Sequence, residues 1–353
     1  MPFSVDHENP VGEDLRLEYR YLDLRRKTMK ENAVMRHKIV METMNFFDKK
    51  EFLHLETPTF VKNTPEGSRE YVVPARFEPG KFFVLPQSPQ QFKQMLMVAG
   101  FDKYFQIARC YRDEDPRGDR QPEFTQVDFE LSFVEQQDIL ELIEEYFMHL
   151  SAKFYPNKKI KAEPFPVLTW KGAMDLYGID KPELRVDNFT FHEVTDWAKK
   201  SDFTVFQQAP CVKALVLPKE MGRSEVEKKY EFLAKSFGSK GMPWLCLSKE
   251  EGLKGSIAKF IDDAALEELK KITGATEGTT IIFQADTWLK ACEYLGKLRI
   301  EAIKQLDLLK GKEDELAFCF VIDMPLFEEG DDGELGARSE ERRVGKECSE
   351  PCR

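Results

Sequence analysis

Histidine is scarce in this sequence, five residues in 353, and no two stand at metal-ligand spacing. The seven cysteines are dispersed, odd in number and without a CxxC pair, which leaves neither a disulfide framework nor a zinc motif and points to a reduced, intracellular protein. No apolar run approaches the roughly 20 residues of a membrane span. Basic residues are in deficit, with 52 Lys and Arg against 63 Asp and Glu and a net charge of −11, so the chain is a poor candidate for blanket binding to nucleic acid or an anionic membrane, although local basic patches can override the sum. The opening MPFSVDHENPVGED has neither the basic flank nor the apolar core of a signal peptide, and a cytoplasmic location is expected. What remains is 42% hydrophobic and 33% charged, a soluble globular composition long enough for two domains. There is no internal repeat and no low-complexity tract.

Ala33, Val40, Met44 and Phe47 recur at helical spacing and predict a helix over residues 30–50. A short apolar segment ending at Pro58 and a polar loop over 62–71 lead to strand-like runs at 71–75 and 82–85. Residues 86–100 read as a loop entering a helix that carries Phe92, Met95, Leu96 and Ala99. From about Leu184 the character changes. Helical segments at 191–199, 224–236, 264–272 and 288–306 alternate with the apolar runs CVKALVLP and TTIIFQAD, as in a separate α+β module. A strongly apolar strand pattern returns at 317–329.

The most informative stretch is 104–133. YFQIARCYR places Phe105, Ile107 and Tyr111 on one face, with Arg109 the exception, and Gln106, Ala108, Cys110 and Arg112 on the other. After an eleven-residue polar stretch, DEDPRGDRQPE, the run FTQVDFELSF sets Val127, Phe129, Leu131 and Phe133 on one face and Gln126, Asp128 and Glu130 on the other. An antiparallel pair with one apolar and one polar face follows. A solvated polar face is the common fate of such a hairpin. Here the polar face gathers an arginine, carboxylates and amides, and its loop carries five acids and two arginines, more chemistry than a face meant only for water requires.

Seven blocks carry a family resemblance: RYLDLRR (20–26), ETPTF around Pro58, TPEGSREY (64–71), QSPQQFKQ (87–94), CYRDEDPRGDRQPEFTQVDFE (110–130), YGIDKPELR (177–185) and FVIDMPLFEE (320–329). In these the chain resembles the bacterial-type aspartyl-tRNA synthetases, class II aminoacyl-tRNA synthetases. The resemblance implies an α+β fold: a class II antiparallel sheet flanked by helices, with an inserted α+β GAD-like module. It divides the chain into a first part of the catalytic core (1–183), the insertion (184–315), a return to the core (316–335) and a tail (336–353) that matches nothing in the family and reads as foreign or frameshifted.

The implied activity is ATP-dependent formation of aspartyl-adenylate from L-aspartate, then transfer to the acceptor end of tRNA(Asp). Joining two anions calls for positioning and charge stabilisation rather than a protein nucleophile. Carried over position by position, the resemblance makes Arg112 the catalytic residue, gripping the α-phosphate and the carboxylate with one planar fork. Arg112, Asp113, Glu114, Gln121 and Phe124 match the ATP site, with Phe124 a platform for the base. Glu66, Ser88, Gln90, Lys93, Arg112 and Asp128 match the aspartate pocket, with Lys93 on the side-chain carboxylate and Glu66 and Asp128 on the ammonium. Arg117 and Arg120 stand where the acceptor end would pass. ATP and Mg²⁺ are the implied cofactors, and the metal ligands are expected in a C-terminal part that is not in this sequence; no metal site is assigned to these residues. A homodimer built on the 30–50 helix and the Pro58 segment is also implied, and no membrane.

Neither the anticodon-binding domain nor the third class II motif is found here, so this chain is expected to be a fragment, poorly soluble and inactive alone. A non-catalytic, synthetase-like protein that binds RNA or a partner is the alternative. A lysyl or asparaginyl ligase is disfavoured by DRQPEFTQVDFE and the GAD-like insertion.

Overall fold

The computed structural model describes residues 2–5, 10–63, 68–114, 120–329 and 335–337. It divides into two compact units, Met1–Pro156 with Leu326–Arg353, and Asn157–Pro325.

The first unit opens with helical turns at Glu13–Glu18 and Arg20–Asp23. Asp23 is fully buried and binds Arg16 at 2.9 Å, Arg26 at 3.5 Å and Arg20. A buried carboxylate needs such partners, and these, Arg16 first, hold its pKa below the usual range. Then come α1 (Lys27–Lys49), β1 (Leu53–His54), the hairpin β2 (Val72–Pro74) and β3 (Phe82–Val84), α2 (Gln90–Val98), β4 (Lys103–Tyr111), β5 (Glu123–Leu131) and α3 (Gln136–Phe154). β4 and β5 are antiparallel along their full length, as the alternation predicts. The sheet order is β1-β4-β5, and β1 joins in parallel, so this sheet is mixed rather than purely antiparallel. The long connection through the hairpin and α2 lets the chain return in the same direction.

The odd-numbered face of the pair packs on the helices. Phe105 and Phe129 meet Phe46, Phe47, Phe52, Leu142 and Tyr146, with the Phe47 and Phe105 rings stacked at 5.1 Å. Phe133 does not share that face: the strand ends at Leu131, and Phe133 sits at φ 60° with its side chain 98% exposed.

α1 and α3 are clamped by Glu42, which bonds His149 at 2.6 Å and also Lys153. Those partners, Lys153 first, lower its pKa from 4.5 to about 2. A carboxyl depressed on folding adds stability above its unfolded pKa and loses it as pH falls through the folded value. Glu42→Gln is therefore expected to lower the unfolding midpoint at pH 7, with the gap to the parent closing between pH 4.5 and about 2. Thermal melts across that range check it.

In the second unit β6 (Lys159–Ile160) and β7 (Val167–Thr169) pair in parallel with β13 (Glu315–Leu316) and β14 (Phe320–Ile322). The main sheet has five antiparallel strands in the order β11-β10-β12-β9-β8: Gly252–Gly255, Trp244–Ser248, Thr279–Asp286, Cys211–Leu217 and Phe191–Glu193. Its two faces bury separate clusters. Leu215, Leu217 and Ile282 lie in one, and Val212, Ala214, Ile281 and Phe283 in the other. Burial on both faces explains the continuous apolar runs of β9 and β12. The expected helix at 191–199 is instead the edge strand β8 and one helical turn, Thr195–Ala198. Three residues, Phe-His-Glu, carry too little periodicity to tell strand from helix. The expected helices at 264–272 and 288–306 are present as α4 (Asp263–Thr273) and α5 (Trp288–Gln305). Arg299 of α5 is fully buried, donating to the carbonyls of Phe189 at 2.6 Å and Glu183 at 2.8 Å.

A hairpin of β15 (Phe327–Glu329) and β16 (Leu335–Ala337) belongs to the first unit. No helix among the described residues is long and apolar enough to cross a membrane.

Candidate active site

The β4–β5 register brings the chemistry together. Tyr104, Gln106, Ala108 and Cys110 stand opposite Glu130, Asp128, Gln126 and Phe124, all on the even-numbered face. This face is not bathed in water: Tyr104, Gln106 and Asp128 are all buried.

Lys93 reaches this face from α2. Ser88 is buried just before the helix, Pro89 caps it, and Gln90 and Lys93, three residues apart, share a side. The Lys93 ammonium lies 2.8 Å from Asp128 Oδ1 and 3.3 Å from Glu130 Oε2, with its side chain 12% exposed. Asp128 Oδ2 is buried and has no hydrogen-bond partner among the described residues. Two carboxylates and one ammonium leave one negative charge in excess, facing an open acceptor. Such a site is receptive to one cationic donor.

Behind it, Gln106 Oε1 accepts from the Tyr104 hydroxyl at 2.8 Å, Thr57 Oγ1 at 3.0 Å and the Thr57 N–H at 3.3 Å. Burial, then the charge of Asp128 and a hydrogen bond to it, push the Tyr104 pKa above the ordinary range. The phenol holds its proton.

Arg112 follows β4. Its N–H bonds the Pro122 carbonyl at 2.9 Å and its guanidinium carbon lies 5.2 Å from the centre of the Phe124 ring. The fork is thus stacked on the aromatic expected beneath the base. Asp113 pairs with Arg69 through a β-bridge, with N–H to carbonyl at 3.0 Å. Glu114 accepts from the Ser68 hydroxyl. Gln87, 1% exposed, reads both the N–H and the carbonyl of Ser68, at 3.1 and 3.0 Å. The segment from Ser68 is thereby tied to the residues on either side of α2 and β4. Gln121 and Arg120 are exposed before β5. Glu66 and Arg117 lie outside the described residues.

The structure brings Lys93 and Asp128 together, sets Arg112 against Phe124, and links Glu114 to Ser68. Glu130, Tyr104, Gln106, Thr57 and Gln87 are supporting residues that sequence reasoning did not single out. For Glu130 and Gln106 the signal was present, since both fall on the polar face. The contacts of Thr57 and Gln87 join distant segments and leave no local pattern. No group of three His, Cys, Asp or Glu side chains among the described residues comes together as a metal site.

A family model described as tRNA synthetases class II (D, K and N) matches residues 12–346, reaching into the segment expected to be foreign. The chain is 44% identical over 338 residues to an aspartate–tRNA(Asp/Asn) ligase of Thermodesulfovibrio yellowstonii, covering 93% of this chain and 55% of that protein. It is 43% identical to an aspartate–tRNA(Asp) ligase of Deinococcus radiodurans (94% and 56%) and 43% to an aspartate–tRNA ligase of Bacteroides fragilis (93% and 56%). The chain thus spans little more than half the length of these relatives.

Proposed function

This chain belongs to the class II tRNA synthetases (D, K and N), and from that premise we propose that it carries the aspartate- and ATP-binding part of a cytoplasmic aspartate–tRNA ligase. The observation that carries the reading is the partly buried Lys93–Asp128–Glu130 cluster with the open Asp128 Oδ2. An aspartate ligand complements it. Its ammonium fills Asp128 Oδ2, with Glu66 as the second acceptor, and its side-chain carboxylate takes Lys93 beside Ser88 and Gln90. At about 4 Å and an effective dielectric near 20, the carboxylate–lysine pair gains roughly 4 kcal/mol before desolvation is subtracted. Asparagine leaves that lysine without its counter-charge.

In the reaction an oxygen of the aspartate α-carboxylate forms a bond to the α-phosphorus of ATP, and the bond to pyrophosphate breaks. Arg112 holds the attacking carboxylate and an α-phosphate oxygen at once and spreads the developing charge. Asp113, Glu114, Gln121 and Phe124 orient the nucleotide. A hydroxyl of the terminal ribose of tRNA(Asp) then forms an ester with the aspartyl carbonyl as the bond to AMP breaks, with Arg120 near the acceptor end. Exposed Val34, Met35 and Met41 on α1 support a homodimer. Residues 184–315 are read as a GAD-like insertion. The alternative, a non-catalytic RNA- or partner-binding relic, gives no reason to keep an unsatisfied buried carboxylate oxygen, which costs about 1–3 kcal/mol or more.

A non-hydrolysable aspartyl-sulfamoyl adenosine, titrated calorimetrically, tests this. Arg112→Lys keeps the charge and loses the fork, and is expected to weaken binding about tenfold or more. Unchanged affinity in that variant, or no binding by the parent chain, contradicts the reading.

A further inference from the structure

Gln87 is 1% exposed and spends both ends of its amide on one residue: Oε1 accepts the Ser68 N–H at 3.1 Å and Nε2 donates to the Ser68 carbonyl at 3.0 Å. A side chain that reads both main-chain groups of a single residue fixes its position and its rotation together. On its other side the same short segment meets the residues that follow β4. The Asp113 N–H donates to the Arg69 carbonyl at 3.0 Å and Arg69 Nε donates to the Asp113 carbonyl at 3.3 Å. The Ser68 hydroxyl donates to Glu114 Oε1. Glu114 is exposed, and an exposed glutamate keeps several rotamers, so holding it in one costs side-chain entropy. The charge-assisted bond from Ser68 offsets that cost before any ligand arrives. It engages one carboxylate oxygen, and a carboxylate has a second for a ligand N–H.

We propose that Gln87 and Ser68 are positioning residues for recognition of the base and act through Glu114: Gln87 fixes Ser68, and the Ser68 hydroxyl aims the Glu114 carboxylate at the exocyclic amino group of an adenine ring. The inference rests on the reading of Asp113, Glu114, Gln121 and Phe124 as the nucleotide site and deepens it by naming what makes that site selective. An ionised carboxylate only accepts, so a 6-amino group donates to it, whereas the 6-oxo group of hypoxanthine turns a second acceptor toward it. Such discrimination is large only while the acceptor is held in place and cannot swing away into water. Ser68, Gln87 and Glu114 come from three separate blocks of the sequence, TPEGSREY, QSPQQFKQ and CYRDEDPRGDRQPEFTQVDFE, and this chain of bonds gives the three a common task.

Calorimetric titration of the full chain with aspartyl-sulfamoyl adenosine and aspartyl-sulfamoyl inosine tests it, since the two ligands differ only at the base. The parent is expected to prefer the adenosine ligand by about 100-fold. Ser68→Ala leaves the main-chain groups that Gln87 reads and deletes only the aiming hydroxyl. Its preference is expected to fall about tenfold, a difference of about 1.4 kcal/mol. Gln87→Met keeps the volume, removes both amide contacts and is expected to lose at least as much of the preference. In Glu114→Ala the preference is expected to vanish, and adding Ser68→Ala is expected to change it no further, as follows if Ser68 acts through that carboxylate. A merely structural role weakens both ligands alike and leaves their ratio at the parent's value. An unchanged ratio in Ser68→Ala therefore overturns the inference, and a ratio that survives in Gln87→Met overturns the part given to Gln87. If Gln87→Met does not fold, Ser68→Ala decides alone. A parent without preference overturns the assignment of Glu114 to the base, and a parent that binds neither ligand overturns the nucleotide-site reading itself. A parental preference that Ser68→Ala retains overturns only the positioning role.

Discussion

Replacing Lys93 by methionine is expected to weaken binding of aspartyl-sulfamoyl adenosine by about 100-fold or more, since truncating one partner of a buried, hydrogen-bonded charge pair costs about 2–5 kcal/mol. Lys93 does two things in the structure. It neutralises Asp128 at 2.8 Å and Glu130 at 3.3 Å, and in the proposed complex it is the cation for the substrate's side chain. Methionine keeps the volume and removes the charge, leaving two facing carboxylates at a largely buried site. The variant is therefore expected to lose its preference for aspartyl over asparaginyl ligands. Calorimetric titration with both ligands reads the effect. A thermal melt shows whether the fold has survived.

The second large effect is on stability. Arg299→Ala is expected to destabilise the Asn157–Pro325 unit by about 3–5 kcal/mol, the range for losing a fully buried charged group whose partners stay behind. Arg299 is 0% exposed and its guanidinium lies 4.9 Å from the Tyr177 ring centre and 5.5 Å from that of Phe189. It donates to the carbonyls of Phe189 and Glu183 at 2.6 and 2.8 Å, pinning the 183–189 segment to α5. Burial lowers its pKa from 12.5 to about 10, so it remains charged at neutral pH and those two bonds are charge-assisted. Alanine leaves two carbonyls without their donor and a cavity between two rings. All four tryptophans, Trp170, Trp197, Trp244 and Trp288, lie in this unit, so their fluorescence during urea unfolding follows it selectively. An unchanged midpoint means that the guanidinium is replaceable by solvent.

How much of this was legible in the sequence depends on how local each feature is. The β4–β5 pair was readable because apolar side chains recur at its odd positions and polar ones at many of its even positions, which writes a period of two along each strand, although the structure buries the even positions of β4 as well. Phe133 followed the same parity and fell outside it, because the strand had already ended in a turn with positive φ. The β8 strand was misread as helix, since an edge strand of three residues inherits its conformation from β9 rather than from its own pattern. The alternation alone does not say whether the polar face is wet or buried, although its charged and amide content points away from water. The structure resolves it, with Tyr104 at 0%, Asp128 at 8% and Gln106 at 9% exposure. The family resemblance supplied Lys93, Asp128 and Arg112 as single residues. It did not supply their connections: Lys93 to Glu130, Thr57 to Gln106 and Gln87 to Ser68 each join segments far apart in the chain. Contacts of that kind are products of packing and have no signature along the sequence.

The claim on which the rest depends is that the Lys93–Asp128 pocket recognises an amino acid by an ammonium group and a second carboxylate together. Parallel calorimetric titrations of this chain with aspartyl- and asparaginyl-sulfamoyl adenosine test it most directly. The expected result is aspartyl binding tighter by about 100-fold, with the preference abolished in Lys93→Met, as follows from a site that leaves a buried charge unpaired when the neutral isostere binds. Equal affinity for the two ligands, or a preference that survives Lys93→Met, contradicts it.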